Sequence, residues 1–526
     1  MNERLARVVA IARVDFLTRF RRMSTVVVFL LLSACAYLWI PPVASGRTIM
    51  QVGGHRAYYN SGALGMSTAV LGTLFIGLFG FYVISNALKR DVVSRCGYVI
   101  ASTTMRGSEY LVAKFLGNVL FLSTFAFGFM LTSMIMQVVR GEAALEPLVF
   151  VKQYLLLLPP AIAFVSALAI VFESIPWLSG KFGDVVYFFA WLASLGVVAS
   201  LIDKPNAPAW PRYLDFTSLG FAMSSMKETV HTDAVAIGGT SFDPKLAPFV
   251  YHGLTLDPAW IAPRIVATLL PMLLLVAARL FFHRFDPARV RGAAEKAKSS
   301  WMARFNALFK PVTRALYALG SRAGDNSLLG AARIDALVTL TGFPLAVAAA
   351  VGIGLATVGS STQSFSSGVM PVAFALLALL LCDVASRDAR AGTTALVFAS
   401  PRLRAQFVVW KLLSAIVLSV AFMAVPIVRI IARQPSSLPA LAVGILFVAA
   451  AATSLGTVSS NPKTFIVAFL SFWYVVVNDK GLTQALDFAG FYGHATALVV
   501  VCYAIAAAAL LAVAEAFHRR RLAREF

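Results

Sequence analysis

Charged residues are scarce in this sequence: they make up 13% of its 526 residues, whereas apolar residues make up 59%. The mean hydropathy of +0.80 excludes a water-soluble globular domain. The four cysteines have no metal-ligand spacing, so we expect free thiols and no metal site. Composition alone therefore predicts a protein whose solvent is lipid.

Motifs for chemistry are also missing. No G-x-x-x-x-G-K-[ST] loop is present to hold nucleotide phosphates, since Gly180 and Lys181 lack the upstream glycine and are followed by Phe182. The chain has no G-x-S-x-G nucleophile motif and no zinc-protease helix. We therefore expect no enzyme activity, no catalytic residue and no cofactor in this chain.

What the sequence has is a succession of apolar runs, many of them near the roughly 20 residues that cross a hydrocarbon core of about 30 Å. Six runs in each half predict an all-α polytopic membrane protein with about twelve transmembrane helices. The runs are Val26–Ile40, Met66–Ala87, Phe115–Val138, Tyr154–Phe172, Val185–Leu201, Ile261–Phe282, Phe343–Val358, Val369–Leu381, Val408–Ile430, Leu438–Val458, Phe465–Val477 and Ala495–Ala514.

The basic residues predict the orientation. The net charge of +21 is spread between apolar runs rather than gathered in one basic domain, which argues against nucleic acid as a partner. Lys and Arg collect in the N-terminal lead, in the loop between the second and third spans, and in the C-terminal tail. Because cytoplasmic flanks carry this excess, we expect both termini in the cytoplasm and a multi-pass protein of the inner or plasma membrane.

Five short sets of residues recur in the same order in the two halves, which predicts an internal duplication. The pairs are Ala12-Arg13-Val14-Asp15-Leu17 with Ala332-Arg333-Ile334-Asp335-Leu337, Arg90-Asp91-Lys114 with Arg387-Asp388-Lys411, Lys181-Trp191 with Lys463-Trp473, Leu214-Asp215-Phe216 with Leu486-Asp487-Phe488, and Phe282-His283-Arg284 with Phe517-His518-Arg519. Residues 1–283 then form the first six-span half and residues 328–526 the second. The first half has longer outside loops, at Pro41–Gly62, Arg140–Gln153 and Asp203–Trp260.

The segment 284–327 between the halves is a basic cytoplasmic linker. Trp301, Phe305, Leu308 and Val312 recur in it at helical spacing. A helix of this kind can lie in the anionic inner interface of the membrane. A solvated linker with some helix explains the pattern equally well.

The stretches Lys89–Lys114 and Arg387–Lys411, each between the second and third spans of a half, mix charged with apolar residues. This mixture suits a short helix along the inner surface, and Pro401 ends the helical register in the second copy. One interpretation is an ordinary amphipathic loop. The other is a coupling helix that inserts into a cleft on a cytoplasmic motor subunit.

These features resemble the ABC type-2 permeases, the membrane subunits of ATP-binding-cassette exporters. The resemblance depends on a helix with Arg and Asp before the first span, then an acidic residue, a turn of small and Ser/Thr/Pro residues with a basic residue, and a lysine that opens the third span. In the first half the pattern reads Arg13 and Asp15, then Asp91, Ala101–Arg106 and Lys114; in the second it reads Arg333 and Asp335, then Asp388, Ala399–Arg404 and Lys411. The first copy departs from the family by having Thr103 where proline is common.

The resemblance implies roles for particular residues. Amphipathic elbow helices would contain Arg13, Asp15, Arg333 and Asp335. Coupling to the ATPase would involve Arg90, Asp91, Arg106, Lys114, Arg387, Asp388, Arg404 and Lys411. The second and fifth spans would line the pathway, with Phe75, Phe79, Tyr82, Trp191 and Trp473 as candidates, although ordinary helix packing is the simpler interpretation of these aromatic residues.

The resemblance also implies the function, which is that of an exporter permease in which both halves are fused in one chain. Energy would come from a separate ABC ATPase, in two copies, which binds ATP and Mg²⁺. The apolar composition of the spans favours an amphipathic or hydrophobic substrate. Two other functions remain open: a proton-coupled secondary carrier, and a non-transporting immunity or sensor module whose outer segment, with Trp210, Tyr213 and Trp260, serves as a receptor surface.

Overall fold

The computed structural model of the chain is mostly helical and contains two compact units, Met1–Lys298 and Ser299–Phe526. It describes residues 3–21, 25, 29, 36–37, 39–175, 178, 181–202, 210–230, 235–254, 258–282, 285, 311, 314–315, 318, 327–342, 345–479, 481 and 483–525. The boundary between the units falls inside the predicted linker 284–327. Most of that linker, most of the predicted first span Val26–Ile40, and His283 and Arg284 lie outside the described residues.

The described residues include seven helices that are long and apolar enough to cross a membrane, or up to nine if each of two bent pairs is one span. Shorter apolar helices cover Val186–Leu195 and Pro462–Val477. The chain is therefore a mostly helical protein with several apolar helices that could span a membrane. The number twelve stays a prediction.

The first unit contains twelve α-helices, counted over its described residues. They are α1 Glu3–Phe20, α2 Ser61–Phe75, α3 Phe81–Ile84, α4 Ala87–Val93, α5 Cys96–Ser102, α6 Gly107–Arg140, α7 Pro147–Ser174, α8 Lys181–Ile202, α9 Pro211–Leu214, α10 Leu219–Val230, α11 Pro258–Leu269 and α12 Leu274–Phe281. A π-helical turn, Ile76–Gly80, joins α2 to α3.

Local sequence explains where these helices begin. The Asn60 side chain accepts a hydrogen bond from the Ala63 backbone amide at the start of α2. Pro147 occupies the first turn of α7, where its missing N–H costs nothing. At the start of α6, the Glu109 carboxylate accepts a hydrogen bond from the backbone N–H of Arg106 at 3.2 Å. The long apolar run that follows forms one helix of 34 residues.

The three loops of the first half that the sequence predicts to lie outside contribute to a folded cap with a small β-sheet, which the all-α prediction missed. Its strands are β1 Arg47–Val52, β2 His55–Arg56 and β3 Val235–Ser241, in the order β2-β1-β3 with both pairs antiparallel. Gly53 and Gly54 form the β1–β2 turn with φ of 57° and 88°, which residues with a Cβ atom rarely adopt. The Arg56 guanidinium joins this sheet to the second loop by a bidentate pair with Glu142, at 2.6 and 2.7 Å.

The second unit contains twelve further α-helices among its described residues. They are α13 Leu328–Gly342, α14 Leu345–Gly359, α15 Thr362–Ser364, α16 Met370–Leu381, α17 Arg387–Ala391, α18 Thr394–Phe398, α19 Pro401–Ala405, α20 Phe407–Phe422, α21 Ala424–Arg433, α22 Leu438–Ser459, α23 Pro462–Asp479 and α24 Ala497–Glu525. A π-helical turn, Phe365–Val369, precedes α16.

The predicted run Val408–Ile430 is broken in the structure, because α20 and α21 meet at an angle of 67°. Met423 is the only residue between them. Arg429 of α21 donates hydrogen bonds to the Ser360 carbonyl and hydroxyl, each at 3.0 Å, and to the Thr357 carbonyl. The Arg429 guanidinium thus provides donors for the last carbonyl groups of α14, which have no partner within that helix. Because these bonds fix α21 to the end of α14, they hold α21 away from the axis of α20.

Candidate functional site: two matched charge clusters

The first charge cluster, defined as Asp15, Arg19, Arg90, Asp91 and Lys114, joins three separate parts of the first unit. Its centre is the buried Asp15 carboxylate on α1, which lies 2.7 Å from Arg19 Nη2 and 2.9 Å from Lys114 Nζ. Arg90 of α4 also donates to Asp15 Oδ1. Lys114 of α6 makes a second ion pair with Asp91 Oδ2 at 2.8 Å. The cluster therefore ties α1 to the α4 loop and to the long helix α6.

Electrostatics keep the centre of this cluster ionised. Burial raises the pKa of the Asp15 carboxyl, but the charges of Arg19, Lys114 and Arg90 outweigh that effect and hold the pKa below its ordinary value. Taking a carboxylate out of water is costly unless cations and hydrogen bonds compensate. Three cations converge on this one carboxylate, so each of them is positioned by it.

The loop that carries Arg90 and Asp91 is fixed from a second direction. The Glu173 carboxylate, in the last turn of α7, accepts hydrogen bonds from the backbone amides of Ala87 and Leu88 at 3.0 and 2.7 Å. These are the first amides of α4, which have no partner within the helix. Glu173 therefore caps α4 and orients Arg90 and Asp91 toward α1 and α6.

The second charge cluster, defined as Asp335, Arg387, Asp388 and Lys411, has the same arrangement in the second unit. Lys411 Nζ, which is fully buried, lies 3.1 Å from Asp335 Oδ1 and 2.7 Å from Asp388 Oδ2. Arg387 Nη2 donates to Asp335 Oδ1 at 3.0 Å. The helix α13, the α17 loop and the helix α20 are thereby joined as α1, α4 and α6 are in the first unit.

The sequence repeat and the geometry agree residue by residue. Asp15, Arg90, Asp91 and Lys114 of the first cluster match Asp335, Arg387, Asp388 and Lys411 of the second. The predicted elbow residues and the predicted coupling residues are therefore not two separate sites. In each unit they share one lysine and one pair of carboxylates.

Sequence reasoning missed four members of these sites. Arg19 donates to Asn118 Oδ1 at 2.7 Å, the Tyr110 hydroxyl donates to Asp91 Oδ2 at 2.7 Å, and the Ser414 hydroxyl donates to Asp335 Oδ2 at 2.8 Å. Arg19 had a signal, because it follows Asp15 by four residues and so lies on the same face of one helix. The others could not be found, since nothing in a single sequence places α1 beside α6.

Four of the predicted elbow and coupling residues lie outside the clusters. Arg13 and Arg333 are exposed, whereas the residues before them, Ala12 and Ala332, are buried. Arg106 is exposed at the start of α6. Arg404 ends the α19 turn, where its carbonyl lies 2.8 Å from His518 Nε2. Their predicted roles in coupling or membrane contact stay predictions.

The short helices that follow the acidic residue expose apolar side chains. Val99 on α5 is 68% exposed, and Leu396 on α18, at the matching position of the repeat, is 78% exposed. Tyr98 is also exposed. The two matched positions of the repeat therefore both present an apolar side chain on the surface of a short helix.

The predicted pathway-lining residues pack between helices within each unit. Tyr82 is buried, and its hydroxyl donates to the Asp184 carbonyl at 2.8 Å. Buried Trp191 presses on Gly77, where an added Cβ atom would lie 2.5 Å from the indole nitrogen. Buried Trp473 donates from Nε1 to the Pro371 carbonyl at 2.7 Å. These contacts fit the simpler interpretation, helix packing.

Phe75 and Phe79 are half-buried and stack with ring centroids 4.7 Å apart. Phe75 also lines a small apolar recess with Phe125 and Phe129. Phe75 thus has a small open apolar space beside it.

The fold and both clusters can be compared with known proteins. No family model, curated protein or solved structure matches this chain significantly. The functional interpretation therefore depends on the geometry of the chain itself and on the motif resemblance.

Proposed function

We propose that this chain is the membrane permease of an ABC exporter, and that the two charge clusters hold the loops that meet a separate ATPase subunit. The proposal is supported above all by the repetition of one geometry. In each unit, ion pairs join the helix before the first long apolar segment, the loop after the second span and the start of the next long helix. A rigid connection of this kind would carry a movement of the loop into both helices.

The exposed apolar side chains of the same loops support a docking role. Val99 and Leu396 are exposed on the short helices α5 and α18, which follow the helices that contain Asp91 and Asp388 of the charge clusters. A peptide helix that inserts apolar side chains into a groove gains most of its binding energy from a few such anchors. We infer two docking points, one for each copy of the ATPase, on the cytoplasmic side.

The ATPase would supply the nucleotide chemistry, with its own ATP and Mg²⁺. Closure of the ATPase pair would change the contacts at both docking points and so shift the permease between conformations, which requires different contact energies in the two states. An amphipathic or hydrophobic substrate fits the apolar recess beside Phe75 and the apolar composition of the helices.

The carboxylates argue against a proton-coupled carrier. A proton-carrying site needs a carboxyl group whose pKa lies near the working pH. Asp15 has the opposite property, since surrounding cations lower its pKa. The matching Asp335 is likewise paired with two cations, Arg387 and Lys411.

The proposal is tested by purifying the chain from its native membrane and asking whether an ATPase with a nucleotide-binding loop accompanies it. With that subunit in hand, V99S and L396S are each expected to weaken its binding about tenfold, as expected when one apolar anchor is lost. Leu246→Ser, at an exposed position near the outer sheet, is the matched control and should bind normally. Absence of any ATPase, or normal binding by V99S/L396S, would contradict the proposal.

One observation favours a second candidate function, an immunity or sensor module. The outer loops of the first half fold into a sheet, β2-β1-β3, and Trp210 and Tyr213 are exposed next to helix α9. A folded outer surface suits a receptor. The same purification separates the candidates, because a receptor module without transport requires no ATPase.

A further inference from the structure

The long helix α6 is attached near both of its ends to the N-terminal part of the chain. Near its start, Lys114 makes the ion pair with Asp15. At its end, Arg140 donates from Nη1 to the Tyr37 carbonyl at 2.8 Å and also to the Ile40 carbonyl. Lys114 and Arg140 are 26 residues apart on one continuous helix, so the two contacts are separated by about 40 Å at 1.5 Å per residue.

In the second unit Arg429 makes the corresponding contact. It donates to the Thr357 carbonyl and, at 3.0 Å, to the Ser360 carbonyl at the end of α14. In both units the accepting carbonyl groups lie 22 and 25 residues after the central aspartate of the charge cluster. They belong to Tyr37 and Ile40 in the first unit and to Thr357 and Ser360 in the second. The same two positions of the repeat therefore receive an arginine.

Each arginine also contacts an aromatic ring. Arg140 Cζ lies 4.2 Å from the centroid of the Tyr37 ring, and Arg429 Cζ lies 4.4 Å from that of Phe365. A guanidinium is attracted to the face of such a ring, and its planar head still presents several N–H donors. Because the last carbonyl groups of a helix have no partner within it, both arginines meet the same need with the same kinds of contact.

The two arginines themselves occupy unmatched positions of the repeat. Arg140 follows Lys114 by 26 residues, whereas Arg429 follows Lys411 by 18. The helix α6 runs without a break to Arg140, whereas the 67° bend at Met423 directs α21 to the end of α14. Two different backbone routes bring a guanidinium to the same pair of carbonyl groups. What the two units share is therefore the contact and not the position of the arginine in the sequence.

We propose that Arg140 and Arg429 are positioning residues, which hold together the far ends of the segments whose near ends the charge clusters join. In the second unit these segments, α14 and α20–α21, are called here the clamped pair. Each half would then contain two segments that move as one body, so a displacement of the loop beside the charge cluster would reach their far end. The inference rests on the proposed function, because the ATPase would supply that displacement.

The contact itself can be tested without a partner protein. V358C and I431C place spin labels at exposed positions of α14 and α21, in a full chain whose native cysteines are replaced, in lipid nanodiscs. Double electron–electron resonance should give a narrow distance distribution, which shifts to longer distances and broadens in R429M, because methionine has no donor for the carbonyl groups. R433M removes the exposed arginine at the end of the same helix and should leave the distribution unchanged.

Movement as one body is tested with the purified ATPase subunit. Addition of this subunit with ATP and vanadate is expected to shift the distance between labels at I431C and V475C, an exposed position of α23, because the clamped pair moves against its neighbours. The distance between V358C and I431C should change by less than about 1–2 Å, the size of a small helix shift.

The outcomes distinguish this inference from the proposed function. If R429M leaves the distance distribution unchanged, or if ATP moves Val358 relative to Ile431, the inference is wrong and the proposed function stands. If the ATPase binds but the distance to Val475 does not respond, the clamped pair carries no movement and the inference is again wrong.

Two remaining outcomes also decide. If no ATPase binds, the proposed function and the movement fail together, and R429M still shows whether Arg429 holds α21 to α14. If R429M does not fold, R429K takes its place. An ammonium group lacks the planar fork of arginine, so R429K should also broaden the distribution, and an unchanged distribution would contradict the inference.

Discussion

Lys411→Met is expected to destabilise the second unit more than Lys114→Met destabilises the first. Methionine keeps the length and flexibility of the lysine stem but removes the charge. Both lysines bridge two carboxylates, with distances of 3.1 and 2.7 Å for Lys411 and of 2.9 and 2.8 Å for Lys114. The two variants therefore remove equivalent ion pairs. The difference in stability between them comes from the partners that the carboxylates keep after the lysine is lost.

The remaining partners set the magnitudes. Without Lys411, Asp388 Oδ2 has no other hydrogen-bond partner among the described residues, so the loss should approach the roughly 3–5 kcal/mol seen when one member of a buried pair is removed. Without Lys114, Asp91 keeps the Tyr110 hydroxyl at 2.7 Å and Asp15 keeps both arginines. Because Asp91 keeps one partner and Asp15 keeps two, the loss should be reduced to about 1–3 kcal/mol.

Hydrogen exchange of the purified chain measures the effect locally, since amides open with free energies that differ along a structure. We expect faster exchange in α17 and α18 for K411M, and a smaller change in α4 and α5 for K114M. The double variant K411M/D388N removes the unpaired charge and should recover part of the loss. With the single variant D388N, these variants complete a double-mutant cycle that gives the interaction energy of the pair.

Two results would refute this reasoning. If the opening free energies of the α17 and α18 amides in K411M lie within about 0.5 kcal/mol of the wild-type values, the ion pairs contribute as little as exposed pairs do. If K114M is the more damaging variant, the Tyr110 and arginine contacts do not substitute for the lysine. In either case the charge clusters would not be the rigid connection that the proposed function needs.

Two further predictions concern the outer sheet and the packing of α23. The hydrogen bonds from Arg56 lower the pKa of Glu142 and outweigh its burial, so the pair should stabilise β1 at pH values above the unfolded pKa of about 4.3. After correction for the intrinsic exchange rate, which itself falls with pH, the protection of β1 amides should decrease as the pH falls through the lower folded pKa, and not in E142Q; pH-independent protection in wild type would contradict this. Trp473→Phe removes the 2.7 Å bond to the Pro371 carbonyl and should cost about 1–2 kcal/mol in thermal unfolding; an unchanged Tm would show that the bond is not structural.

The parts of the fold that periodic apolar runs specify could be predicted. The ranges Phe115–Val138 and Leu438–Val458 lie within the helices α6 and α22, because a lipid solvent requires a long apolar helix to satisfy its own backbone. The break at Met423 could not be predicted, because it depends on Arg429 reaching the end of α14. Hydropathy measures composition, and this bend is decided by one tertiary contact.

The outer sheet was missed for a related reason. Strands β1 and β3 are separated by more than 180 residues, and a single sequence carries no signal for pairing over that distance. The local signal was present, since the Gly53-Gly54 pair between short extended segments is typical of a hairpin turn. Long loops between spans tend to be interpreted as irregular, and here that tendency was wrong.

The candidate site shows what an internal repeat adds to a single sequence. Matching Arg90, Asp91 and Lys114 to their second copies singled out residues that the structure brings into one ion-pair cluster in each unit. The repeat could not predict that Asp15 meets Lys114, since α1 and α6 are far apart in sequence. The contact of α1 with α6, and of α13 with α20, is a property of the folded unit, and both units have it.

The differences between the clusters are as informative as their similarity. In the first unit the Arg19 guanidinium lies 2.7 Å from Asp15 Oδ2. Gly117 faces the same oxygen, and because it has no side chain it does not crowd the carboxylate: an added Cβ atom would lie 3.2 Å from Asp15 Oδ2. In the second unit the repeat partner of Arg19 is Thr339, which bonds back to the Asp335 carbonyl.

The partner of Gly117 is Ser414, and its hydroxyl takes over the equivalent carboxylate oxygen at 2.8 Å. An arginine with a glycine, or a threonine with a serine, thus gives the equivalent carboxylate oxygen an ion-pair or hydrogen-bond partner, without which its burial would be costly. Two changes that compensate each other around one fixed carboxylate indicate that the carboxylate is what both halves had to keep. Helices α1 and α6 in the first unit, and α13 and α20 in the second, are therefore held together by the same group, although its neighbours differ.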